Sequence, residues 1–558
     1  MKLLTDVKEF FRCKFYTAVL ALTAVCAYGF TVTHPSVGMD DTAVSLYFEE
    51  GLAPYVGRWS LFVLNKVFRI GTFAPWMVEL ASVLLLMVSV TMWCVVWKRA
   101  CGFGAKLPTW AYGIVACIFI SCPLISEVFV FYLHNGICLG YGFTAGALLC
   151  LMEALERENT GHRRLGRFFL SCVLLTVALG FYESFIIVYM MGAVTVFFLL
   201  RRLHGGSGGE ADYKTGILPW MGGGFLSVLG SLVLRVMALG IVKMWCGPDR
   251  FGGLNVLYRN AFGSIFSSWG EFSMLLKHFF MKYYVHAVCY LPITVLAAAV
   301  LFIGAYSLWC GIRRRDPVLP LCAAVLALLP VCMALVEGLA TRYRSAQYVP
   351  LMGAFGALLV LVEFWRHPAR KWVRALGFGL AGILIYNQCA DMNRWFYADY
   401  LKYQDAREVM ARAAYDLEKG YDTSKPVVFR GAYRVPYEIS KDAYLDFSSA
   451  EYGWICALTD WFDPYLKEKY FSYDGKFYVF AEMPTVSTLQ WGVTAFNGTS
   501  WQLIEFWRMH GYDSFRCETD LDKIAEAERI RWDEDMPAYP RDGYIRDCGE
   551  YIIVNLGR

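Results

Sequence analysis

Long apolar runs separated by short polar ones decide what this chain can fold into. They fall at 16–31, 75–97, 107–121, 136–152, 168–182, 185–200, 217–245, 286–310, 319–336, 349–365 and 375–389. A helix of about 20 apolar residues crosses a bilayer. Inside hydrocarbon the backbone must satisfy its own hydrogen bonds, which leaves helices or closed barrels. The predicted fold class is a polytopic α-helical membrane protein with about 11 transmembrane helices. Composition agrees, with 57% of residues hydrophobic and only 18% charged; soluble domains average about one quarter charged. The net charge of +4 is too small to imply a nucleic-acid partner. The 18 cysteines are scattered, many inside apolar runs, without the paired CxxC spacing of a zinc site.

Topology follows from Lys and Arg. Alternate loops are basic: Lys98, Arg99 and Lys106; Arg157, Arg163, Arg164 and Arg167; Arg201, Arg202 and Lys214; Arg313–Arg315; Arg366, Arg370, Lys371 and Arg374. With the basic, amphipathic N-terminus, all of these can be cytoplasmic under the positive-inside rule. One helix across 168–200 would put Arg167 and Arg201 on opposite sides, so the spacing predicts a break at Tyr182-Glu183-Ser184. The glycine cluster 205–209 lacks the Lys-Ser/Thr ending of a phosphate loop and reads as a flexible linker.

An odd number of spans places everything after residue 389 outside. The chain divides into a transmembrane part, 1–392, and a C-terminal part, 393–558. In the latter, 397–419 carries Leu401, Ala406, Val409, Ala413 and Leu417 on one helical face, with Gly420 as a stop. Residues 425–429, 477–480 and 551–556 read as strands, and 501–510 and 521–530 as helices. That predicts an extracytoplasmic α/β domain. Cys517 and Cys548 can pair in an oxidising compartment, with Cys456 as a competitor.

The first outer loop, 33–59, carries Asp40 and Asp41, then Glu49 and Glu50, then Gly57-Arg58-Trp59. A carboxylate in a partly desolvated cleft, with a like charge beside it, has its pKa raised toward that of a useful general base. The same pair after Gly38 can equally cap a short helix. Glu127 follows a proline break at Pro123 in an aromatic outer loop that continues through Phe131, Tyr132, His134 and Asn135. Glu183 sits in the break between two hydrophobic helices. Carboxylates beside aromatics suit sugar binding, and interfacial aromatic belts also account for the rings. Arg342, Tyr343 and Arg344 lie on the outer side, against the local charge bias, where guanidiniums can hold a lipid phosphate in bidentate fashion. Arg235 lies within an apolar run and needs a partner or a phosphate. Structural ion pairs, Arg342 with Glu337 or Arg58 with Glu50, are the competing reading.

These features together resemble the bacterial O-antigen glucosyltransferases, the serotype-converting, integral-membrane type within the GT-C group. The residues carrying the resemblance are Asp40 and Asp41, Gly57-Arg58-Trp59, Pro123 to Glu127 with Phe131-Tyr132, Tyr182-Glu183-Ser184, Arg342, and the tail Tyr539-Pro540 to Gly543-Tyr544-Ile545. Glu183 stands where the family would carry Gln, and His134-Asn135 where an acidic residue is usual. The resemblance implies a GT-C-like glycosyltransferase in the bacterial inner membrane, serving the cell envelope and its lipopolysaccharide. It implies a polyprenyl-phosphate-linked sugar donor and a glycan or lipid-linked glycan acceptor. Asp40 or Asp41 would be the base. Arg58, Glu127, His134, Glu183, Arg235, Arg342, Tyr343 and Arg344 would bind substrates. No cofactor is implied; a divalent cation is disfavoured because few carboxylates cluster. A transporter or flippase would also show buried charges and broken helices. A lipid-linked glycan ligase or polymerase would concentrate Arg and His in one outer loop, as 217–286 partly does.

Overall fold

The structure is a computed structural model. It describes residues 2–38, 57–68, 74, 76–102, 107–130, 136–156, 161–204, 217–246, 291–333, 345–366, 371–431, 433, 444–446, 471–473, 476–480, 501–529 and 536–557, with isolated positions between 270 and 280.

An amphipathic helix α1 (Lys2–Arg12) leads into α2 (Lys14–Thr33). The helical array continues with α3 (Trp59–Phe68), α4 (Met77–Cys101), α5 (Tyr112–Ile120), α6 (Ser126–Phe129), α7 (Cys138–Leu155), α8 (Gly161–Phe181), α9 (Phe185–His204), α10 (Ile217–Cys246), α11 (Leu291–Arg314), α12 (Val318–Leu328) and α13 (Val349–Arg366). Among the described residues, eight helices are long and apolar enough to cross a membrane, or up to nine if the bent pair Thr109–Ile120 and Pro123–Phe129 counts as one. The chain is a polytopic helical membrane protein. The predicted span 107–121 is that bent pair, broken by 53° next to Pro123, which has no N–H to continue the helix. The predicted span 319–336 is only the short apolar stretch Val318–Cys332.

The largest difference from the sequence expectation is α14. Residues 375–389 and 397–419 are not two helices but parts of one 50-residue helix, Lys371–Gly420. No Gly or Pro separates them, and even the Asn393 side chain bonds along the helix, its Nδ2 donating to the Cys389 carbonyl at 2.8 Å. At 1.5 Å per residue such a helix runs about 75 Å, so it leaves the bundle and carries the C-terminal elements at its far end. There β1 (Val427–Gly431), α15 (Trp501–Met509), α16 (Leu521–Arg529), β5 (Ile545–Asp547) and β6 (Ile552–Gly557) gather. β6 is central, parallel to β1 and antiparallel to β5. Val427, Phe429, Ile552, Val554, Leu503 and Trp507 form a core with Val409, Met410, Ala413 and Leu417 of α14. Between β1 and α15, strands β2 (Tyr444–Asp446), β3 (Phe471–Tyr473) and β4 (Lys476–Phe480) form a second, antiparallel sheet. Cys517 and Cys548 are free thiols, so the disulfide between them is not formed.

Ionic contacts mark one end of the bundle. Arg99 joins Asp6 and Glu153, Glu153 also meets Arg167, and Lys98 meets Glu9. Arg201 pairs with Asp316, Arg202 with Glu363, and Arg314 donates to the Arg202 carbonyl. Trp97 Nε1 donates to Thr195 Oγ1 at 3.4 Å, tying the late part of α4 to the middle of α9. Ends of α4, α7, α9, α11 and α13 are therefore joined by ionic contacts at one end of the bundle.

Close packing of α3 on α8 depends on Gly180. A Cβ there would overlap Ser60 Oγ and lie 2.5 Å from Trp59 Cε2, while Ser60 donates to the Val177 carbonyl at 2.8 Å. Gly180→Ala is expected to lower stability by about 1–3 kcal/mol through overpacking. Gly166→Ala on the same helix, with open space around the new methyl, should be neutral or stabilising by up to about 1 kcal/mol. Thermal unfolding of the two variants in matched detergent checks this.

Candidate functional site

The break between α8 and α9 is built as predicted. The Phe185, Ile186 and Ile187 amides bond to the Tyr182, Glu183 and Ser184 carbonyls, the i→i+3 pattern of a tight helical start. That turn leaves Glu183 and Tyr182 projecting from the junction of two apolar helices, at the end of the bundle opposite the ionic contacts.

Both side chains meet groups from remote parts of the chain. Arg235, deep in α10, donates from Nη2 to Glu183 Oε1 at 2.6 Å. The two side chains are only 5% and 9% exposed. The charge that the apolar run left in need of a partner finds it here. Gly57 lies against this pair: a Cβ on it would sit 3.6 Å from Arg235 Nη2 and 3.9 Å from Glu183 Oε1. Its φ of +78° is a left-handed conformation that glycine adopts without penalty, so the chain entering α3 can approach closely. The next residue, Arg58, places its guanidinium carbon 4.3 Å from the Tyr182 ring centroid, a cation–π geometry. Glu50, the alternative partner for Arg58, lies outside the described residues.

A third stretch closes on the same break. The Tyr182 and Ser345 hydroxyls lie 3.2 Å apart. The Tyr141 hydroxyl donates to the Gln347 carbonyl at 2.9 Å and also meets the Gln347 side-chain oxygen. Tyr141 packs edge-on against Phe185 at 5.1 Å. Ser345 follows Arg344 directly in the sequence. Two guanidiniums and one carboxylate, flanked by a tyrosine and two backbone turns, thus come from stretches about 50 to 290 residues apart, by their positions in the sequence. The guanidiniums of such a cluster suit an anionic group with hydroxyl-bearing neighbours.

Of the predicted site residues, the structure brings together Arg58, Glu183 and Arg235. Glu127 is buried on α6, in a turn whose Phe129 ring lies tilted against Tyr28 at 4.6 Å; α6 packs on α14. Asp40, Asp41, His134, Arg342, Tyr343 and Arg344 lie outside the described residues.

Other buried polar groups at this end escaped sequence reasoning. Glu79, in the first turn of α4, accepts from Thr31 Oγ1 at 3.3 Å. Asp399 of α14 accepts from Ser36 at 2.5 Å, tying the segment after α2 to the long helix. Burial pushes the Asp399 carboxyl up to about 6, against the Ser36 hydrogen bond and the Lys402 charge. Burial also pulls Lys402 down to about 8, opposed by Asp399. Asp399 and Lys402 continue the stripe that Ala406, Val409 and Ala413 bury lower down. Polar residues on a core stripe were the available signal.

A family model described as glucosyl transferase GtrII matches residues 29–361, more than half of the chain. The chain belongs to the glucosyl transferase GtrII family. The resemblance to serotype-converting O-antigen glucosyltransferases is thereby borne out, and the protein is a membrane glycosyltransferase of class EC 2.4. The matched region of this glucosyl transferase takes in Gly57, Arg58, Tyr182, Glu183, Arg235 and Ser345, and stops before α14. No curated protein and no solved structure matches the chain.

Proposed function

We propose that this glucosyl transferase moves a glucosyl or related hexosyl unit from a polyprenyl phosphate to a glycan or lipid-linked glycan. The site faces the outer side of the bacterial inner membrane, with the N-terminus cytoplasmic, about 11 crossings, and the C-terminal elements forming an extracytoplasmic α/β domain. The observation that carries this reading is the meeting of Arg58, the Glu183–Arg235 pair and Ser345 at the end of the bundle away from the basic loops.

In this reading Asp40 or Asp41 takes the proton from the acceptor hydroxyl as its oxygen attacks the anomeric carbon. The bond from that carbon to the phosphate oxygen breaks, and the configuration inverts. The charge developing on polyprenyl phosphate is held by Arg58 and Arg235, joined by Arg342 and Arg344. Tyr343, Glu127 and His134 contact the sugars. Glu183 fixes the position of the Arg235 guanidinium, whose planar fork matches the geometry of a phosphate. Fixed donors aimed at the leaving group stabilise the transition state without reorganisation. No nucleotide is needed, since the phosphate ester carries the activation.

The purified protein, given polyprenyl-phosphate glucose and a lipid-linked O-antigen acceptor, is expected to transfer glucose without ATP or nucleotide sugar. Transfer that requires UDP-glucose, with the lipid donor inert, would overturn the reading.

A further inference from the structure

A cavity of about 540 Å³ lies where α15 packs against the extended part of α14, well away from the Glu183–Arg235 pair in the sequence and outside the matched family region. Its size is that of a small-molecule site. Gln404, Arg407 and Glu408 of α14 form one wall; Trp507, His510 and Tyr512 belong to the other.

The lining is unusual for a mere packing defect. Trp507 is fully buried and its indole donates to the Met410 carbonyl at 2.7 Å, so the floor is rigid. His510 Nδ1 lies 2.7 Å from the Phe506 carbonyl. A carbonyl only accepts, so Nδ1 carries the proton. Burial lowers the His510 pKa, so the ring is neutral and Nε2 accepts from the Tyr403 hydroxyl at 3.0 Å. Arg407 meets neutral partners, Gln404 Oε1 at 3.4 Å and the Tyr403 ring at 5.7 Å. Gln404 therefore keeps its amide hydrogens for another acceptor. Arg407 and Gln404 donate, Glu408 accepts, and Tyr512 can do either. An anion would meet Glu408 and a cation would meet Arg407. A ligand bearing many hydroxyls satisfies both.

The position suits the reaction. Asp399 is tied to Ser36 of the segment after α2, and Gln404 to Ala411 lie about 8–18 Å further along the helix axis at about 1.5 Å per residue.

We infer that the α14–α15 cavity is a saccharide-binding subsite that holds the acceptor glycan while its reacting end reaches the membrane site. The acceptor assignment rests on the glycosyl-transfer reading above; saccharide binding by the cavity does not. Gln404 and Arg407 supply the hydrogen bonds, and the cavity sets acceptor affinity without touching the chemistry at the donor.

The test uses the full-length protein in a sugar-free zwitterionic detergent. Saturation-transfer NMR is recorded with glucose, galactose, rhamnose and N-acetylglucosamine, with glycerol as control. At least one sugar is expected to show transfer. The signal should fall tenfold or more in Q404A/R407A, both substitutions being on the cavity wall outside the apolar core. Glu408→Ala should weaken it independently. Hydrolysis of polyprenyl-phosphate glucose without acceptor is measured alongside and should be unchanged in all variants. Silence from all four sugars with wild-type protein, or an equal signal in the double variant, overturns the inference. Wild-type protein that binds sugar through Gln404 and Arg407 but leaves the lipid donor intact supports the cavity and sinks the donor reading instead.

Discussion

Arg235→Ala is expected to abolish sugar transfer and to destabilise the chain by about 3–5 kcal/mol, the usual cost of stranding a buried charge. Glu183, with its side chain 9% exposed, would lose the guanidinium that meets it at 2.6 Å. The two effects can be separated. Arg235→Met combined with Glu183→Gln removes both charges together and should recover most of the stability, because an apolar replacement of a buried ion pair is often neutral. Transfer should stay lost, since the donors to the phosphate are gone. Arg235→Lys keeps the charge but not the planar fork, and should fall between wild type and Arg235→Ala in both readouts. Thermal unfolding and transfer assays on wild type, Arg235→Met, Glu183→Gln and their combination give a double-mutant cycle. Recovery of transfer in the double variant would make the pair purely structural.

Asp40→Asn and Asp41→Asn carry the second large effect. One of them is expected to lower kcat by about 10²–10⁴-fold, the range for removal of a general base, with the acceptor KM little changed. The other should weaken transfer only modestly, because it acts on its neighbour's pKa rather than on the hydroxyl. Neither should alter thermal stability much, in contrast to Arg235→Ala. Wild-type kcat in the Asp40→Asn/Asp41→Asn double variant would remove both residues from the mechanism.

The membrane-embedded half of the fold was legible because lipid leaves so few options. Apolar runs gave helices, while the side on which each ends stays an expectation from the alternating Lys and Arg. The Tyr182-Glu183-Ser184 break followed from length, since one helix across 168–200 far exceeds a bilayer's need, and from the expectation that Arg167 and Arg201 share a side. The partner of Arg235 was not legible. A sequence shows that a buried guanidinium needs an anion, but not which carboxylate folding brings to it from 52 residues away. Gly57 illustrates the same limit: its left-handed turn beside the ion pair leaves no local signature distinct from any loop glycine. At the other end, α14 was read as two helices because hydropathy falls after residue 389, although nothing there stops the backbone from staying helical. The polar pair Asp399 and Lys402 was passed over for a related reason. Charged residues on an amphipathic helix are normally assigned to its wet face, and only packing against Ser36 and α2 reveals these as buried.

The account stands on the acidic first loop and the arginine-rich stretch before Ser345 opening into one hollow on the outer side. The most direct check is labelling of Asp41→Cys and Arg342→Cys by a membrane-impermeant maleimide, in sealed cells and in inverted vesicles, with exposed native thiols such as Cys26 and Cys548 replaced by serine. Both positions should react only from the extracytoplasmic side, and polyprenyl-phosphate glucose should protect both. Reaction of the two positions from opposite faces of the membrane would contradict the account.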